Sequence, residues 1–191
     1  MKRDLTRKIV TTGLMAAIAC LLGATHWGFI PWIGGVSLTI LQIPVIIAAV
    51  LEGPLAGAIV GLIFGIFSMI QAAIAPAGPT DVWFTNPVLA VLPRIFIGPA
   101  AWGIYTVLKR WRSVGLFAAG AVGSLTNTIL VLGTIGLLGY LPWQALAAIV
   151  VTNGLPEMAA SALITLAVIS AYWQIPTRKK GSDLEDKKSG S

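Results

Sequence analysis

Residues 55–75 read LAGAIVGLIFGIFSMIQAAIA, a run of 21 residues without a single Lys, Arg, Asp or Glu. At about 1.5 Å per residue, a helix of that length matches the roughly 30 Å hydrocarbon core of a bilayer. Working outward from it, five more apolar segments can be drawn, at 9–26, 38–51, 87–108, 114–138 and 144–173. The weakest is 38–51, which is short and holds Gln42 and Pro44. Lipid offers no partners for backbone N–H and C=O groups, so each span should be helical. The expected fold is an all-α membrane protein of six transmembrane helices, residues 1–175, followed by a polar, disordered cytoplasmic tail over 176–191. The basic start of the first segment resembles a signal peptide. No cleavage site leading into a soluble domain follows it, and it reads as a retained first span.

Composition agrees. The chain is 57% hydrophobic and only 10% charged, whereas a soluble domain carries roughly 25% charged residues. The net charge of +6 could suggest nucleic acid, but its distribution argues otherwise. Lys2, Arg3, Arg7 and Lys8 precede span 1, Lys109, Arg110 and Arg112 separate spans 4 and 5, and Arg178, Lys179, Lys180, Lys187 and Lys188 follow span 6. The opposite loops, near 27–37, 76–86 and 139–143, contain no Lys or Arg. By the positive-inside rule both termini are expected in the cytoplasm. The charge is topological, and nucleic-acid binding is set aside. With Cys20 the only cysteine and His26 the only histidine, no disulfide or metal-ligand spacing exists. No nucleophile–base pair points to an enzyme.

The outward loops are aromatic. Loop 1, HWGFIPWIGGVS, carries Trp27, Phe29 and Trp32. Loop 3, PAGPTDVWFTN, carries Trp83, Phe84 and Asn86. Loop 5, GYLPW, carries Tyr140 and Trp143. Such residues form interfacial belts, and they can also close over a ligand. Both readings stay open. Span 3 places Gly53, Gly57, Gly61 and Gly65 at four-residue spacing, a bare stripe for close helix approach. Span 1 pairs Gly13 with Ala17 and Ala16 with Cys20 at the same spacing, which suits internal packing or a docking surface.

Four polar residues stand out in spans 4 to 6: Arg94, Asn127, Asn153 and Glu157. From the outer helix ends they lie roughly 10, 16, 14 and 20 Å deep, respectively. An ionisable residue at such depth faces protein or water and needs a partner. Arg94 could brace Glu157 in an ion pair. It could instead receive an anionic group of a ligand through its two-pronged guanidinium.

The chain resembles the substrate-binding S components of energy-coupling-factor (ECF) vitamin transporters over about residues 5–173. The resemblance is carried by TTGLMAAIA in span 1, LEGPLAGAIVGLIFG in span 3 and FTNPVLAVLPRIFIGPAAWGIY in span 4. GSLTNTILVLG in span 5 and TNGLPEMAASALIT in span 6 complete it. It implies a high-affinity binding subunit in a prokaryotic plasma membrane, neither an enzyme nor a cofactor carrier. Its partners would be a transmembrane coupling protein, two cytoplasmic ATPases and membrane lipid. It is thought to release its ligand by toppling, and the chain has no Walker motif of its own. On this reading Arg94, Asn86, Trp83, Asn127, Asn153, Glu157, Trp27, Trp32 and Trp143 bind the ligand, while Gly13, Ala16, Ala17 and Cys20 dock the coupling protein. No Ala-x-x-x-Ala pair, the family's usual docking motif, occurs in span 1. Within the family the chain looks most like the pantothenate group; folate, riboflavin and an α-ribazole-like cobalamin precursor are the other ligands. A self-sufficient permease is the alternative outside the family.

Overall fold

A computed structural model describes residues 2–31, 37–76 and 80–174. Trp32 and the tail from Pro176 lie outside the described residues. Helix α1 (Lys2–Ala24) leads into strands β1 (Phe29–Pro31) and β2 (Ser37–Thr39), an antiparallel hairpin pairing Phe29 with Thr39. Then come α2 (Ile43–Glu52), α3 (Pro54–Ile74), a 3-10 turn (Asp81–Thr85), α4 (Pro87–Ala90), α5 (Leu92–Leu108) and α6 (Arg112–Leu137). The last span is α7 (Trp143–Ile149), a π turn (Val150–Gly154) and α8 (Leu155–Gln174). Helices α2, α3, α4 and α5 each carry proline in the first two positions, where the missing N–H would have no intrahelical partner anyway.

Five stretches are long and apolar enough to cross a membrane, among them Pro87–Leu108 and Trp143–Gln174. The expected second span is not one of them. Its first residues belong to the hairpin, and α2 has only ten residues, about 15 Å of helix. Every residue from Leu41 to Val50 is buried. This helix is the core of the bundle rather than a lipid-facing span. Val45, Ile46 and Ala48 meet Ala16 and Ala19 of α1, Val60 and Phe64 of α3, Ile97 and Ala101 of α5, Leu116 and Ala119 of α6, and Ile169 of α8 in one apolar cluster. A helix surrounded on all sides needs neither length nor an amphipathic stripe.

The glycine stripe of α3 sets how closely α5 approaches. A Cβ at Gly57 would stand 2.8 Å from the Gly98 Cα, and one at Gly65 would stand 2.8 Å from the Ala90 carbonyl oxygen. A Cβ at Gly61 would strike the Arg94 carbonyl oxygen. Gly53 does not share this contact. Its φ is +105°, a conformation open to glycine, and it forms the joint between α2 and α3.

Side-chain contacts help to tie the bundle's basic end. Arg7 Nε meets Glu52 Oε1 at 3.1 Å, and the Arg112 guanidinium carbon lies 3.9 Å from the centre of the Trp173 ring.

Candidate functional site

Arg94 owes its surroundings to the break between α4 and α5. Pro93 has no N–H to offer the Leu89 carbonyl four residues earlier. Arg94 Nη1 supplies the missing hydrogen bond at 2.6 Å. The guanidinium carbon lies 4.9 Å from the Phe84 ring centre and 5.6 Å from that of Phe64, distances at which aromatic faces attract a cation. Arg94 is only 6% exposed, and its Nε has no hydrogen-bond partner among the described residues. The ion pair with Glu157 is not formed: Glu157 Oε1 instead accepts the Thr39 backbone N–H at 2.6 Å. Helix α6 packs on both α5 and α8, so the two charges belong to different walls. Each is buried without a counter-ion among the described residues.

Asn127, Asn153 and Glu157 line the seam between α6 and α8. At Gly120 a Cβ would stand 2.6 Å from the Ala162 Cα, and at Gly154 one would stand 3.0 Å from the Thr128 Cγ2. Those two close approaches set an antiparallel register that brings Asn127 between the levels of Asn153 and Glu157. All three are buried, and Asn127 Oδ1 has no partner among the described residues. The π turn ends at Gly154, two residues before Pro156, another proline that withholds an N–H from the preceding turn.

The remaining predicted ligand residues separate. Trp83 stacks on Tyr140 with ring centres 5.2 Å apart and planes at 17°. Together with Phe84 it packs on Leu89, Val131 and Leu146, beside Arg94. Asn86 caps α4, its Oδ1 accepting the Val88 N–H at 3.0 Å. That bond accounts for its side-chain oxygen structurally. Trp27 is 80% exposed and Trp143 is 59% exposed. Trp143 lies against Gly136 and lines a shallow apolar groove with Ile129 and Leu132. Both tryptophans are largely exposed, as interfacial tryptophans are, and the rings over the Arg94 guanidinium are those of Phe64 and Phe84 instead.

Among the described residues, five further buried polar residues were not read from the sequence as site candidates, Thr128 beside Gly154 among them. Gln42, Ser124, Ser161 and Thr165 are buried in the same seam. A signal for two of them was present: Asn153, Glu157, Ser161 and Thr165 recur every four residues along the last span, and Glu157, Ser161 and Thr165 share one face of α8.

A family model for the substrate-specific component of ECF transporters matches residues 7–169. The chain belongs to that family. It is 33% identical over 159 residues to the "Pantothenic acid transporter PanT" of Lactococcus lactis subsp. cremoris, covering 73% of this chain and 80% of the relative. It is also 33% identical over 141 residues to the "Pantothenate transporter PanT" of Leuconostoc mesenteroides subsp. mesenteroides, covering 68% of each. As an ECF substrate-specific component, the chain is a multi-pass membrane protein of a transporter-component family, not of an enzyme family.

Among the candidate spans of the described residues, α1 is the least buried. Of the four residues expected to dock the coupling protein, Ala16 turns inward and is buried in the core beside Ala19. Gly13 and Ala17 are exposed and Cys20 is half-buried. The overlapping small pairs thus divide, one row packing the bundle and the other facing out.

Proposed function

We propose that this substrate-specific component binds pantothenate from the outer side of a prokaryotic plasma membrane, with both of its termini cytoplasmic. It passes the vitamin inward together with a transmembrane coupling protein and two cytoplasmic ATPases. The observation that carries the ligand is Arg94, a buried cation with an unused N–H and no anion beside it among the described residues, in a chain whose relatives are named for pantothenate transport. Pantothenate is a carboxylate at one end, an amide in the middle and two hydroxyls at the other. Arg94 takes the carboxylate, and Phe64 and Phe84 exclude water from that contact. The hydroxyl end lies toward Asn127, Asn153 and Glu157, whose amide and carboxylate groups suit hydroxyl partners. The inside placement of the termini is supported by the basic residues gathered at one end of the bundle. The outward row of α1, Gly13 and Ala17 with Cys20 at its edge, faces the coupling protein.

Calorimetry on the protein in lipid nanodiscs tests this with pantothenate, riboflavin and folate as titrants. Pantothenate is expected to bind and the other two not to. Binding of riboflavin or folate in its place would overturn the ligand. Uptake by this chain alone in liposomes, without ATPases, would overturn the division of labour.

A further inference from the structure

The seam between α6 and α8 does not end at Asn127 and Glu157. Just deeper lies Gln42, at the start of α2 and 0% exposed. Its Nε2 is 3.2 Å from Ser124 Oγ and 3.3 Å from Ser161 Oγ. Its Oε1 is buried with no partner among the described residues. Exchanging the two ends of the amide would only move the unfilled valence from oxygen to nitrogen. Three helices therefore converge on a group with spare hydrogen-bonding capacity, and leaving such a group unpaired in an apolar core costs stability. Its position gives that capacity a use. Ser124 is three residues from Asn127 and Ser161 four from Glu157, so each lies about one helical turn further along the same face. Thr39, three residues before Gln42, donates its N–H to Glu157. The stretch from Thr39 to Gln42 thus touches the seam at two successive levels.

We propose that Gln42 is a further ligand-contacting residue and forms the floor of the site. It takes a hydroxyl group at the uncharged end of the ligand, while Ser124 and Ser161 hold its amide in place. This rests on the pantothenate reading above. An amide suits the position because it can meet a hydroxyl as donor or as acceptor, and burying it costs less than burying another charge. The site then has a cation at one end and a neutral floor at the other, which favours a hydroxylated monocarboxylate over a dicarboxylate.

The test is a cycle of protein and ligand changes, read by calorimetry on the full chain in nanodiscs. The ligands are pantothenate and two analogues, each lacking one hydroxyl. Wild type should bind one analogue about 5- to 100-fold more weakly than pantothenate, the range expected when a buried hydrogen-bonding group loses its partner. The Gln42→Met variant should bind pantothenate and that analogue with nearly equal affinity, because the interaction is absent from both. Thermal unfolding shows whether the variant folds. If it does not, Gln42→Asn, which draws the amide back by one methylene, should likewise lose most of the discrimination. Equal affinity of wild type for all three ligands would overturn the proposal without any variant. So would undiminished discrimination in Gln42→Met or Gln42→Asn, which would leave Gln42 a structural knot. A wild type that ignores pantothenate would overturn the ligand reading itself, and this inference with it.

Discussion

At the scale of single residues, Arg94 is held by its own chain rather than by Glu157. The proline that breaks the helix frees the Leu89 carbonyl, and the guanidinium spends one donor on it. Its remaining donors are what a carboxylate would take in bidentate fashion. Losing one partner of a buried charge-assisted contact typically costs about 2–5 kcal/mol, or roughly 30- to 4000-fold in affinity. Arg94→Ala should weaken pantothenate binding within that range by calorimetry. Arg94→Lys should recover only part of it, because a point charge cannot reproduce the two-pronged contact. Adding Glu157→Gln to Arg94→Ala should restore nothing, since the two side chains form no ion pair. Full recovery in that double variant would make Arg94 a brace.

Among the elements, α3 and α5 show what the glycine stripe does. Gly61 lies under the Arg94 backbone and Gly57 under Gly98, so the stripe fixes the depth at which α5 presents its arginine. Overpacking a tight contact typically costs about 1–3 kcal/mol. Gly61→Ala should lower the thermal midpoint and weaken binding together, because the added methyl pushes α5 and its guanidinium outward. Gly103 lies on α5 with nothing within 4 Å of an added Cβ. Gly103→Ala should therefore match or exceed wild-type stability, as alanine is the better helix former. If the two variants melt alike, close approach is not what the stripe serves.

For the whole molecule, α1 presents two small-residue rows to two different surroundings. Ala16 is 5% exposed within the core, whereas Ala17 beside it is exposed. Replacing Ala17 by Trp should block ATP-driven uptake in proteoliposomes containing the complete transporter, yet leave pantothenate binding by the isolated subunit within about twofold, because close helix association depends on small side chains. Replacing Ala16 by Trp should reduce binding and uptake together, since its bulk would enter the cluster around α2. Uptake surviving Ala17→Trp would move the docking surface off this row.

Much of this was legible in the chain itself. Long uncharged apolar runs, with basic residues confined to alternate loops, suffice to identify a helical membrane protein, because lipid leaves the backbone no other way to satisfy its polar groups. The quoted motifs were enough to recognise the family, and the isolated polar residues of spans 4 to 6 marked where chemistry should be sought. Hydropathy could not show that α2 is a buried core helix, because a short apolar segment reads the same whether lipid or protein surrounds it. Nor could spacing along one chain settle which charges meet. Arg94 and Glu157 were opposite in sign and similar in depth, but α6 packs on both of their helices, and a backbone carbonyl and a backbone N–H took the bonds instead. Gln42 was hidden for the same reason. A lone amide in an apolar run has no periodic signature, and only the packing of α2 against α6 and α8 joins it to Ser124 and Ser161.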